Sequence, residues 1–263
     1  MSVEPSDHDD YAIVIYSKLT DSRELSRLFE QELQIVPNDA IVWTHHIPGV
    51  LNESFSEETA RDLVSALARM GLHASAVRRD EIPHLHQAVA AHHAFCADEG
   101  MHVQKPLEHS SIFIPWAGVQ MICVGEVLRD LTRRHPPNGL SVSLNGHQYQ
   151  RPAVNVPFTP ILEAWITCQS PLPHLRFDQD RMTFEYLGPR RTASASTNFR
   201  HFILDAIEHA PEAFVPESTQ AFLKNDHQGQ HRFKDPEALR HYATLQALLA
   251  RETSTEVSPK TVA

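Results

Sequence analysis

A chain of 263 residues in which 41% are hydrophobic, 21% charged and 8% aromatic has globular composition, which excludes a wholly disordered, collagen-like or disulfide-scaffold protein. Its 33 acidic against 23 basic side chains leave a formal charge of -10, a field that opposes a polyanion, so nucleic acid is not an expected partner. The length exceeds the usual domain size of ~100–150 residues and points to two domains.

The acidic excess sits early: residues 1–88 hold 15 acidic and 7 basic side chains. The 18 histidines would reverse the sign of the net charge if all were protonated, so charge is expected to follow mild acidification. Cys96, Cys123 and Cys168 are widely spaced and odd in number, which fits free thiols in a reducing compartment. The opening ten residues lack the basic and apolar pattern of an export signal. The longest apolar run, 112–128, is interrupted by Pro115, Gln120 and Glu126 and is too short for a membrane span. A cytoplasmic protein without a membrane span is expected.

Along the chain, Tyr11 to Tyr16 reads as a buried strand. From Ser22, Leu25, Leu28, Phe29 and Leu33 mark one face of a helix that ends near Gln34, before Pro37. Residues 38–47 are in conflict, because Ile41, Val42, Trp43 and Thr44 favour a strand while Asn38 and Asp39 look like a helix start. Ser56, Glu57 and Glu58 cap a helix whose stripe is Ala60, Leu63, Val64, Leu67 and Ala68, closed by Gly71. A returning strand follows over 72–77.

Asp39-Ala40, Pro48 to Leu51, Ser56 to Ala60, Leu63, Leu67, Gly71 and Val77 together resemble the C-terminal domain of the ribosomal stalk protein, a small fold shared by the Clp protease adaptor. Over about residues 10–80 the resemblance implies a β-α-α-β-α-β sandwich and makes 38–47 helical. Lys18 is the only lysine there, so the lysine-rich face with which the ribosomal domain meets translation factors has no counterpart. Of the residues with which the adaptor family holds a substrate's amino terminus, only Asp21 has a possible match.

Residues 83–104 read as a histidine-rich helical connector. On such a helix His93 and Cys96 share a face with His92 adjacent, and His84 and His86 precede them, a conceivable zinc site without the usual paired cysteine spacing. Cys96 as a nucleophile, with His92 or His93 as its base, lacks an orienting acid.

From 105 to 251 the pattern is an antiparallel β meander or half-barrel with C-terminal helices. Strands are expected at 111–114, 120–124, 153–158, 161–168, 175–177 and 182–187, with a hairpin turn at Asn145-Gly146. A helix with Phe199, Phe202, Ile203, Ala206 and Ile207 on one face follows. This order, with the turn at 114–119, looks like the pleckstrin-homology-like modules of bacteria, which bind peptides, proteins or lipid headgroups. Asp235-Pro236-Glu237 opens a last helix with Ala238, Tyr242, Leu245 and Leu249 as its stripe, expected to dock on this β module. Residues 1–9 and 252–263 read as disordered tails.

The fold class expected is α+β. No phosphate loop, dinucleotide fingerprint, nucleophile elbow or paired-histidine zinc motif occurs. The expected function is a non-catalytic intracellular binding or adaptor protein that meets a protein partner or peptide, with Trp43, Trp116 and Tyr242 as its interaction surface and no cofactor; self-association is left open. Two alternatives stand beside it. One is a metal-dependent enzyme or metal sensor holding zinc with His84, His86, His92, His93 and Cys96; the other is a histidine-driven pH-responsive switch.

Overall fold

The computed structural model describes residues 10–18, 21–45, 47–51, 53–106, 110–129, 143–144, 147–148, 159–225, 229 and 231–257. The fold is α+β, and the chain divides into two compact units, 1–84 with 241–263, and 85–240. The second unit is thus an insertion in the sequence of the first.

The first unit runs β1 (Tyr11–Ile15), α1 (Ser22–Leu33), α2 (Pro37–Thr44), β2 (Gly49–Val50), α3 (Glu57–Arg69) and β3 (Ala74–Arg78). Its sheet has the order β2-β1-β3 and both pairings are antiparallel. Capping fixes the helix ends. The Asp21 carboxylate accepts from the Arg23 amide at 2.8 Å, and Ser56 Oγ accepts from the Thr59 amide at 3.1 Å. Gly71, at φ 75°, lets the Gly71 and Leu72 amides close α3 on the Ala68 and Leu67 carbonyls.

Residues 37–44 are helical against the propensity of Ile41 to Thr44. Pro37 supplies a ready first helical position, Thr44 Oγ1 donates to the Ile41 carbonyl at 2.7 Å, and Trp43 packs edge-on against Phe29 and Phe55. Tertiary contacts outweigh local preference here. Ile13 and Ile15 of β1 share a core with Leu25, Phe29, Ala40, Leu63 and Leu67 of the three helices.

The second unit holds β4 (Val89–Ala91), β5 (His93–Cys96), β6 (Gly100–Gln104), β7 (Ser111–Pro115), β8 (Val119–Arg129), β9 (Ser143–Leu144), β10 (His147–Gln148), β11 (Thr159–Cys168), β12 (Leu175–Asp178), α4 (Ala195–His209), α5 (Glu217–Leu223) and β13 (Arg232–Phe233). A five-stranded sheet has the order β13-β8-β11-β12-β4, antiparallel at its centre, with parallel pairings of β13 and β4 at its two edges. A second, antiparallel sheet is β5-β6-β7, and β9 and β10 form an antiparallel pair. Phe199, Phe202, Ile203 and Ala206 of α4 join Ile122, Val124, Ala164, Ile166 and Phe177 in one core. Thr219 of α5 extends the ladder on β8 by side chain, accepting from the Val124 amide at 2.8 Å and donating to the Ile122 carbonyl at 3.0 Å.

Three expectations are corrected. Residues 83–104 are not a helical connector: they form a 3-10 turn at Leu85–Gln87 and the strands β4, β5 and β6, because alternating Ala94, Met101 and Val103 supply a buried strand face. Residues 182–187 are not a strand; Glu185–Arg190 is a 3-10 helix that bends at Gly188, φ 51°. The last helix, α6 (Pro236–Val257), was expected to dock on the β module, and only its start does, with Leu239 against Gly125 of β8; from 241 onward it belongs to the first unit, where Leu245 and Leu248 are buried with Val14, beside Tyr16, Val50 and Val77, and cover that unit's sheet. It also runs through 252–257, read as tail. The strand expected at 153–158, the Asn145-Gly146 turn, residues 1–9 and residues 258–263 lie outside the described residues.

Gly125 in β8 shows how tightly the second unit is packed, since a Cβ there would lie 2.6 Å from the Phe233 ring and 2.7 Å from Leu239. Gly125→Ala is therefore expected to destabilise by about 1–3 kcal/mol despite the better strand entropy of alanine. Urea denaturation checks it; an unchanged midpoint would contradict the packing.

Candidate functional site

The histidine cluster expected to bind metal is dispersed. His84 and His86 are exposed, and His93 and Cys96 stand three positions apart in β5, which places them on opposite faces of the strand, where a helix would have placed them on one. The His92 ring bonds through Nδ1 to the Arg181 carbonyl and meets the His93 ring edge-on at 4.6 Å. Among the described residues no group of three or more His, Cys, Asp or Glu side chains gathers to hold a metal ion.

The residues expected as an interaction surface are largely interior. Trp43 is half-buried between Phe29 and Phe55. Trp116 is buried, donates from Nε1 to the Ala97 carbonyl at 2.7 Å and lies against His209. Tyr242 is half-buried. Both tryptophans act as core anchors, and Trp116 has its indole N–H satisfied.

A polar network pins α4 to the 3-10 segment. Asp205 accepts both guanidinium arms of Arg190, at 2.8 and 2.7 Å, and the Tyr186 hydroxyl at 3.1 Å. Burial opposes the charge on Asp205, but the bonds from Arg190 and then Tyr186 outweigh it and hold the carboxyl below its usual range. Burial raises the Tyr186 hydroxyl, and the neighbouring Cys96 and Asp205 add to it. Burial pushes the Cys96 thiol up to about 12, with Asp205 reinforcing it, and burial holds Cys123 and Cys168 at about 12 as well. A thiol so placed is a weak nucleophile at neutral pH.

One exposed feature among the described residues of this unit is an aromatic ladder. In the β5-β6-β7 sheet, Ala94, Met101, Val103 and Ile114 face the core, so Phe95, His102 and Phe113 face away from it. These three stand in direct register, Phe95 opposite His102 and His102 opposite Phe113, and Phe95 and Phe113 are 50% and 43% exposed. The bonds from the Ala97 amide to the Gly100 carbonyl and from the Trp116 amide to the Glu99 carbonyl set the alternation. Phe95 and His102 are a hydrogen-bonded pair with ring centroids 6.4 Å apart; His102 and Phe113 are a closer, non-hydrogen-bonded pair at 4.9 Å. It follows that the backbone N–H and C=O of Phe113 point outward from β7, beside which no further strand pairs among the described residues. Pro115, in the same outward phase, needs no amide partner. Gly100 admits the Phe113 ring, which would be 2.6 Å from a Cβ at that position.

The sequence carries the signal for this ladder: within 93–96, 100–104 and 111–115 the aromatic rings fall out of phase with the buried positions. It is readable only once 83–104 is taken as strands. Comparison with protein-family models, with curated proteins and with solved structures finds no match for this chain.

Two outcomes are expected of this chemistry. All three cysteines of the native protein should react with a thiol reagent at neutral pH far more slowly than after unfolding; a Cys96 that reacts as fast as a free thiol would contradict its burial. Asp205→Asn should cost about 1–2 kcal/mol at pH 7, a modest figure because Arg190 is more than half exposed. The Asp205 carboxyl is depressed in the folded state, so its contribution is present above its unfolded value and fades as pH falls through the folded one. Stability of the variant should thus depend less on pH in that acid window than that of the wild type, as acid titration followed by circular dichroism will reveal.

Proposed function

We propose that this chain is a non-catalytic cytoplasmic binding or adaptor protein that captures an extended segment of a protein partner at the β7 edge. The observation that carries the reading is the conjunction of the Phe95–His102–Phe113 ladder with the outward-facing backbone of Phe113. An added strand would bond to that backbone, and its alternate side chains would lie on the aromatic rings, so that edge bonding supplies affinity and the rings supply selectivity. The high-lying thiol of Cys96 favours binding over nucleophilic chemistry. Among the described residues no helix is long and apolar enough to cross a membrane.

The test is selection of peptides from a randomised library on the full-length protein. Selected peptides are expected to carry apolar residues at alternate positions, to slow hydrogen exchange of the Phe113 amide, and to bind Phe95→Ala and Phe113→Ala variants about tenfold or more weakly. Equal binding by the folded variants, or an unchanged Phe113 amide, would refute the reading.

A further inference from the structure

The second helix of the first unit is apolar on more than the face that meets the core, where Trp43 packs against Phe29 and Phe55. It buries the small residues Ala40 and Thr44 and leaves Ile41 and Val42 47% and 52% exposed. Asn38, Ile41, Val42 and His45 follow i, i+3, i+4, i+7, the spacing of one continuous helix face, and all four are exposed. Val36, immediately before the helix, is 60% exposed. The β-branched pair costs helix propensity without contributing to the core, so packing within the unit does not account for it.

Charge selects the occupant. Asp39 on α2 and Glu32 near the end of α1 are exposed, and residues 1–88 carry 15 acidic against 7 basic side chains. A second copy would set acid against acid, and an anionic lipid surface would be repelled in the same way. We infer that the α2 face seats a basic amphipathic helix of a partner protein, with apolar side chains on Ile41 and Val42 and lysine or arginine beside Asp39 and Glu32. This surface belongs to a different unit from the aromatic ladder and stands whether or not that ladder binds peptide.

The probe is a synthetic helix of about 18 residues, long enough to be helical on binding, with leucine at i, i+3, i+4 and i+7 and lysine elsewhere. Titrated into the isotope-labelled full-length protein, it should shift the amides of residues 38–45, and added salt should weaken it. Ile41→Asp and Val42→Asp, at exposed positions that leave the core intact, should each weaken it about tenfold, and Asp39→Lys should weaken it without touching the apolar pair. A twin with glutamate for lysine should bind about tenfold or more weakly. Shifts confined to other residues, equal affinity of the glutamate twin, unchanged binding by the folded variants, self-association through this face on a sizing column, or co-sedimentation with vesicles of anionic lipid would each overturn the inference.

Discussion

The structure of the first unit depends on burying both faces of one short strand. Ala12 to Ile15 of β1 are wholly shielded from solvent, with Ile13 and Ile15 against α1, α2 and α3, and Val14 against Leu245 and Leu248 of α6. A strand without a polar face needs a layer on each side, and the sheet β2-β1-β3 has helices from its own segment on only one. The other layer comes from the far end of the sequence. Smaller contacts reinforce it: His241 Nε2 meets the Pro48 carbonyl at 2.9 Å, His73 Nε2 lies 3.4 Å from the Glu252 carboxylate, and Arg251 reaches the Glu81 carbonyl. Residues 1–84 are consequently one part of a unit whose other part, 241–263, follows 85–240 in the sequence.

Much of this fold was legible in the residues. Periodicity placed α1 and α4, and capping with periodicity placed α3, since Ser56 and Gly71 act locally and the stripes of Leu25 and Phe29, of Leu63 and Leu67, and of Phe199 and Phe202 face their cores. What failed was any judgement that needed a distant partner. The unbroken run from Ala12 to Ile15 announced two-sided burial, but nothing nearby said that Leu245 and Leu248 would answer it. Histidines at 92 and 93 and alanines at 88, 90 and 91 suit a helix locally, and only pairing of β4 with β12 and of β5 with β6 makes strands of them.

The surface was harder to read than the core. Tryptophan is a good interface residue and an equally good core anchor, and composition does not separate the two roles; Trp116, with its indole N–H bonded to Ala97, is the second kind. Phe113 was hidden in a run that looks like ordinary strand and Phe95 in one that reads as helix, and their exposure depends on which phase of the alternation meets the core. At α2 the conflict between helix and strand signals has a visible outcome: Trp43 packs inward in spite of it, while Ile41 and Val42 stay exposed.

The central claim, that α6 completes the first unit's core, is tested most directly by native-state hydrogen exchange on the full chain with Leu245→Ala and Leu248→Ala. Removing these two side chains should raise exchange at the β1 amides of Val14 and Ile15 by about thirtyfold or more, while β8 and β11 of the second unit keep their protection. Unchanged protection of β1, or equal loss in both units, would contradict the account.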